Sequence, residues 1–131
     1  HVNFFITNLS YEHPEGRQSA INAVKGVIDK FPQSYIEQEL QFLMVPISAH
    51  LCDDDRQCRG SAKAALVSLL GRLDANSKEA SIVGTMIRKW ISSPSTELRR
   101  TGTGALAAAA EVEALPVKTL GELMTLACKS V

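Results

Sequence analysis

Three arginines head three segments that align residue by residue: Arg17-Gln-Ser-Ala-Ile-Asn-Ala-Val, Arg59-Gly-Ser-Ala-Lys-Ala-Ala-Leu and Arg99-Arg-Thr-Gly-Thr-Gly-Ala-Leu. They stand 42 and 40 residues apart. Ser19, Ser61 and Thr101 share a register, as do Ala20, Ala62 and Gly102, then Ala23, Ala65 and Ala105, then Val24, Leu66 and Leu106. Counted from the arginine, small or apolar residues fall at +3, +6, +7, +10 and +11. That is the stripe of a helix with one buried face. Small residues at +3 and +6 let a neighbouring helix come close. A chain that repeats one such helix three times stacks its copies; it does not wrap them around a single centre.

The segments between the arginine helices carry the same period. Ile36, Leu40, Leu43, Met44, Ile47 and Leu51 are spaced by three and four, and Ser34-x-x-Glu37 has the form of a capping box. Ile82, Val83, Met86, Ile87, Trp90 and Ile91 form the next stripe; Leu120, Leu123, Met124, Ala127 and Cys128 form another. Polar breaks fall at 11–16, 52–56 and 92–96. Pro14 and Pro94 stand where a helix would begin, since a missing N–H costs nothing there. Pro46 sits inside an apolar pattern that it should kink. The expected helices are 1–10, 14–31, 35–51, 55–73, 77–92, 96–113 and 117–130. The period is that of two-helix HEAT or armadillo units, roughly 40–47 residues. The expected fold is therefore all-α: an α-α superhelix, a solenoid of stacked antiparallel pairs. Residues 1–131 form one fragment of such an array, with units near 1–31, 34–73, 77–113 and 117–131. A first residue of His1 and the lack of a polar cap at either end read as a piece of something longer.

Composition agrees. Hydrophobic residues make up 45% of the chain, enough for a core, while aromatics are only 5%. Alanine and leucine carry much of the rest, which favours close-packed helices over sheets. No apolar run reaches the roughly 18 residues of a membrane helix. Formal charge is zero, so the whole chain makes no case for nucleic acid or membrane. Cys52, Cys58 and Cys128 are odd in number and lack a framework spacing, which points to a reducing compartment, cytosol or nucleus.

Few residues offer chemistry. His50, Cys52 and Cys58 have no zinc spacing and no fourth ligand nearby, so two small apolar residues and a histidine at a helix end account for them. Asp53, Asp54 and Asp55 form an acidic turn before a helix, where carboxylates accept orphan N–H groups and complement the dipole. Arg17, Arg59 and Arg99 recur at one position, and a structural ladder between neighbouring turns is their default role, with phosphate binding the sharper alternative. Asp53 lies six before Arg59, the offset at which repeat units of this kind pair an acid with a base. Tyr11 and Ser93 hold that offset elsewhere, leaving Arg17 and Arg99 to find other partners. Trp90 shares a stripe with Met86 and Ile87 and reads as core. Gly102 and Gly104 inside a helix imply close helix contact, because each costs about 1 kcal/mol against alanine. No phosphate loop, nucleophile elbow or His/Cys dyad is present. The reading is a protein that is not an enzyme and needs no cofactor, metal or small-molecule substrate.

Charge divides along the chain. Residues 1–55 carry three basic and eight acidic side chains, a net of −5; residues 56–100 carry nine and three, a net of +6. Lys63, Arg88, Lys89 and Arg100 are candidates for contact with RNA phosphates or an acidic partner. Solvated helix faces are the plainer reading of the same charges.

Leu9-Ser-Tyr-Glu-His-Pro-Glu-Gly-Arg17, Phe31-Pro32, and Asp53-Asp54-Asp55 through Cys58-Arg59 resemble the giant HEAT-repeat subunit of the small-subunit processome, the Down-Regulated In Metastasis family. The resemblance covers about residues 3–73; the glycine- and alanine-rich helix at 101–110 departs from it. It implies a nucleolar scaffold in ribosome biogenesis that works on small-subunit ribosomal RNA precursors. Its partners would be protein subunits of a large assembly, with backbone contacts to pre-ribosomal or small nucleolar RNA. The family brings no catalytic residue. Two other functions fit the repeat: an unrelated transport receptor, adaptor or phosphatase scaffold, and a helical domain that regulates a neighbouring enzyme.

Overall fold

The computed structural model describes residues 13–129. These residues form seven α-helices and no strand: α1 (Pro14–Lys30), α2 (Gln33–Gln38), α3 (Leu40–Ala49), α4 (Arg56–Leu70), α5 (Lys78–Ile91), α6 (Thr96–Glu111) and α7 (Val117–Lys129), with a 3-10 turn at His50–Cys52. The expected helix at 1–10 lies outside the described residues. The chain divides into two compact units, His1–Leu69 and Leu70–Val131. None of the described helices is long and apolar enough to cross a membrane.

In the first unit, α1 starts on Pro14, whose fixed φ suits the first helical position and whose absent N–H would have had no partner. It buries Ala20, Ile21, Val24 and Ile28. α3 adds Leu40, Leu43, Met44 and Ile47, and α4 adds Cys58, Ala62, Ala65, Leu66 and Leu69. Each large aliphatic side chain so buried contributes about 1.5–3 kcal/mol. The helix expected over 35–51 is broken in two at Glu39 (φ −99°, ψ 12°), while α3 runs unbroken through Pro46. The Ser34 capping box does not form. Tyr35 and Ile36 already donate to the Pro32 carbonyl, so the helix begins two residues too early for Ser34 to cap it. Phe31, at the end of α1, lies with its ring centroid 4.9 Å from that of Tyr35.

In the second unit, α5, α6 and α7 pack on one another. Ser77 caps α5 by accepting from the Ala80 N–H, and Ser95 caps α6 by accepting from Leu98. Pro94 therefore precedes the cap instead of opening the helix. α6 stops at Glu111, two residues before the expected end. Glu113 has φ 53°, Ala114 N–H donates to the Ala109 carbonyl at 2.9 Å, and Glu113 N–H donates to Ala110 at 3.3 Å. This is the six-to-one and five-to-two closure of a Schellman motif, which turns the chain into α7. Gly102 makes the pairing of α5 and α6 possible. A Cβ there would lie 2.9 Å from the Ile91 backbone nitrogen, from Ile91 Cγ1 and from Trp90 Cβ. Trp90 is accordingly half-buried against α6.

Candidate functional site

The start of every arginine helix is built the same way. Arg17, Arg59 and Arg99 each donate their backbone N–H to the residue four before: His13, Asp55 and Ser95. Asp55 caps α4 by accepting from the Cys58 N–H at 2.9 Å, as Ser95 caps α6. One step earlier the likeness continues. Asp53 Oδ1 accepts from the Asp55 N–H at 2.9 Å, and Ser93 Oγ accepts from the Ser95 N–H at 3.1 Å. Arg59 Nη1 donates to the Asp53 carbonyl at 2.7 Å, and Arg99 Nη1 to the Ser93 carbonyl at 3.0 Å. Arg99 also donates to the Pro94 carbonyl and Thr96 Oγ1. The six-residue offset thus joins arginine to a backbone carbonyl, which either residue type can supply.

The Asp53 carboxylate is left for a different arginine. Arg17 Nε donates to Oδ2 at 3.0 Å and Nη2 to Oδ1 at 2.9 Å, a two-pronged pair between α1 and the turn before α4. The sequence expectation paired Asp53 with Arg59; the carboxylate instead takes Arg17, because Arg59 already closes on the carbonyl of the same residue. His50 Nδ1 lies 2.9 Å from Oδ2. With the Asp55 N–H, four partners fill the carboxylate, whose side chain is only 5% exposed. Asp54, outside the cluster, takes a further bond from Arg17 Nη2 at 3.0 Å. Burial pulls the Asp53 carboxyl upward, but the bonds from Arg17, the Asp55 N–H and His50 outweigh it and hold it well below the usual carboxylate range.

The remaining chemistry-bearing groups are used separately. Cys58 is fully buried, and its thiol donates to the Pro14 carbonyl at 3.3 Å. Burial, then the neighbouring Asp55 and Asp53 carboxylates, push that thiol above its ordinary value, which keeps it protonated and unreactive. Among the described residues no three His, Cys, Asp or Glu side chains are placed to hold a metal ion.

Of the candidate contact residues, Lys63 is exposed on α4 in the first unit; Arg88 and Lys89 are exposed on the last turn of α5, and Arg100 on α6. Arg88 leans toward α7, with Nη2 3.5 Å from Glu122 Oε2 and both side chains half exposed. The pair borders an open cleft between α5 and the start of α7, floored by Gly84 and flanked by Leu115, Pro116 and Thr119. Sequence reasoning missed Glu122 as a partner and Asp53 as the acid for Arg17, since both pairs join residues distant along the chain.

No known protein-family model matches the chain. Among solved structures it is similar to an engineered protein determined by the Northeast Structural Genomics Consortium, with a TM-score of 0.57 and 19% sequence identity. The match covers 98% of this chain and 50% of that one, so the chain spans about half the length of the structure it matches. At that identity the likeness is one of fold: an all-helical array of packed helices.

Proposed function

We propose that this chain is a non-catalytic stretch of a helical-repeat scaffold, and that its parent serves as a nucleolar component of the small-subunit processome. The observation that carries the scaffold reading is the Asp53 turn. Its carboxylate, the most constrained titratable group described, is consumed by Arg17, His50 and the Asp55 N–H, and the adjacent Cys58 thiol by a backbone carbonyl. The lone pairs of the carboxylate and the proton of the thiol are taken up in holding helices in register. The processome assignment is supported by the resemblance at residues 9–17, 31–32 and 53–59.

Within that assembly, Lys63, Arg88, Lys89 and Arg100 meet RNA phosphates or acidic partner segments. Their exposure and the net of +6 over residues 56–100 support this role. Such contacts give affinity without sequence preference, because phosphates carry charge but no base identity.

The test is purification of the tagged parent from cells, with its copurifying proteins and RNA identified. Small-subunit precursor RNA and nucleolar proteins are expected; transport cargo, a GTPase or a phosphatase subunit in their place would overturn the processome assignment and leave the scaffold. Changing Lys63, Arg88, Lys89 and Arg100 to glutamate should abolish crosslinks to RNA with helix content unchanged. Unaltered crosslinking would make these four a solvated face.

A further inference from the structure

Of the five prolines in the chain, only Pro94 follows a hydroxyl side chain, that of Ser93. The two residues lie in the non-helical stretch 92–95 between α5 and α6, where Ser92, Pro94 and Ser95 are exposed and Ser93 is half-buried. Pro94 disfavours helical backbone at Ser93 and pushes it toward an extended form. It also brings no N–H that an enzyme gripping this turn would have to satisfy. The neighbouring hydroxyls lack a following proline and carry structural bonds: Ser95 Oγ accepts from the Leu98 N–H at 3.3 Å, and Thr96 Oγ1 from Arg99 Nη2 at 3.1 Å.

The first unit shows that this place takes a negative charge. Asp53 stands six before Arg59 as Ser93 stands six before Arg99. Each side-chain oxygen accepts from the N–H two residues on, at 2.9 Å for Asp53 and 3.1 Å for Ser93. One turn geometry thus serves a carboxylate in the first unit and a hydroxyl in the second. The surroundings of Ser93 are basic. The Ser92 N–H donates to the Arg88 carbonyl at 3.0 Å, and Arg99 Nη1 donates to the Ser93 carbonyl at 3.0 Å, so cations of α5 and α6 flank the turn on both sides. Residues 88–100 carry Arg88, Lys89, Arg99 and Arg100 against Glu97, a net of +3. A phosphoryl group brings about −1.5 to −2 charges at neutral pH, enough to cancel half or more of that balance.

We propose that Ser93 is a phosphorylation site for a proline-directed protein kinase, and that its phosphate weakens the hold of Arg88, Lys89 and Arg100 on RNA. The Ser93 hydroxyl oxygen attacks the terminal phosphorus of a nucleoside triphosphate bound to the kinase. The new Oγ–P bond forms as the bond from that phosphorus to its bridging oxygen breaks; a nucleoside diphosphate leaves, and the hydroxyl proton passes to the kinase's catalytic base. The product sets a dianion beside the cations that would otherwise meet RNA phosphates, and it competes with those phosphates at short range. This second step rests on the proposed RNA contact of the four basic residues; the modification itself does not.

The test begins with the parent purified from growing and from mitotic cells, its peptide around Ser93 read by mass spectrometry with and without phosphatase treatment. Phosphate on Ser93 that the phosphatase removes is expected; a peptide fully read and unmodified in both cultures would overturn the site. With ATP and a kinase of the mitogen-activated class, the folded chain should take phosphate at Ser93, and Pro94→Ala should slow that incorporation by about tenfold. Incorporation at an equal rate in the Pro94 variant would show that the proline is not read. Crosslinks between RNA and residues 88–100 are then counted in the phosphorylated and the phosphatase-treated parent. They are expected to be about tenfold fewer with the phosphate present, and Ser93→Ala should make the count indifferent to phosphatase. Ser93→Asp, which copies the Asp53 turn, should fold with an unchanged midpoint and lower the count in the same direction. Crosslinks that ignore the phosphate would defeat the switch alone, whereas their absence from both forms would defeat the RNA reading on which the switch rests.

Discussion

Arg17 grips both carboxylate oxygens of Asp53, at 3.0 and 2.9 Å, across 36 residues of chain. The pair ties the first turn of α1 to the turn that launches α4, and two further donors complete its shell. Removing the acid takes two of the acceptors of Arg17, which keeps its bond to Asp54, and leaves the Asp55 N–H without its acceptor in a confined place. Asp53→Ala is therefore expected to cost about 2–4 kcal/mol. Urea unfolding at neutral pH checks this; a loss below about 0.5 kcal/mol would reduce the pair to a solvent-screened surface bridge.

The same shell sets a pH dependence. In the unfolded chain Asp53 takes up its proton near the ordinary value of 3.8, while in the folded protein it holds its charge to lower pH. The unfolded state thus binds more protons in that interval, and stability falls with it. The contribution is fully present above about pH 5 and drains away as pH drops through 4 and below. Midpoints of urea unfolding measured from pH 6 to pH 3 should decline, and Asp53→Asn should flatten the part of the decline that this carboxylate causes. An Asn variant with an unchanged acid slope would assign the loss to other carboxylates.

Two glycines should respond to alanine with opposite signs. At Gly102 the added methyl meets the Ile91 backbone at 2.9 Å, which has no room to yield, so Gly102→Ala should destabilise by about 1–3 kcal/mol. At Gly84 the nearest atoms, 3.6 and 3.8 Å away, are at ordinary contact distance. There the gain in helix propensity prevails, and Gly84→Ala should stabilise by up to about 1 kcal/mol. Thermal unfolding of the two variants side by side decides it; equal shifts of the same sign would refute the packing argument.

Glu113 holds a left-handed backbone, φ 53°, that side chains other than glycine adopt at a cost of about 1–2 kcal/mol. Glu113→Gly should recover about 1 kcal/mol, less the extra entropy glycine brings to the unfolded chain. A measured loss of stability would mean that the Glu113 side chain contributes to folding through contacts of its own.

The helices were legible in the sequence because their signal is local. Apolar spacing of three and four placed α1, α4, α5, α6 and α7 to within about three residues at each end, and the arginine period announced equivalent turns. The interruption at Glu39 and the early stop of α6 were not legible, since each depends on one residue's backbone angle, which many side chains permit. The Arg59–Asp53 and Arg99–Ser93 contacts lie in plain view at an offset of six, although the acceptor proved to be a carbonyl and not an acid. Sequence by itself thus determined which faces are apolar and where the units repeat, because hydrophobic periodicity and chain punctuation are properties of neighbouring residues. Only tertiary structure decided that Asp53 belongs to Arg17 and that Arg88 leans on Glu122. Those outcomes depend on which helix arrives beside which, and a carboxylate or an apolar stripe is the same in sequence whether or not anything arrives to meet it.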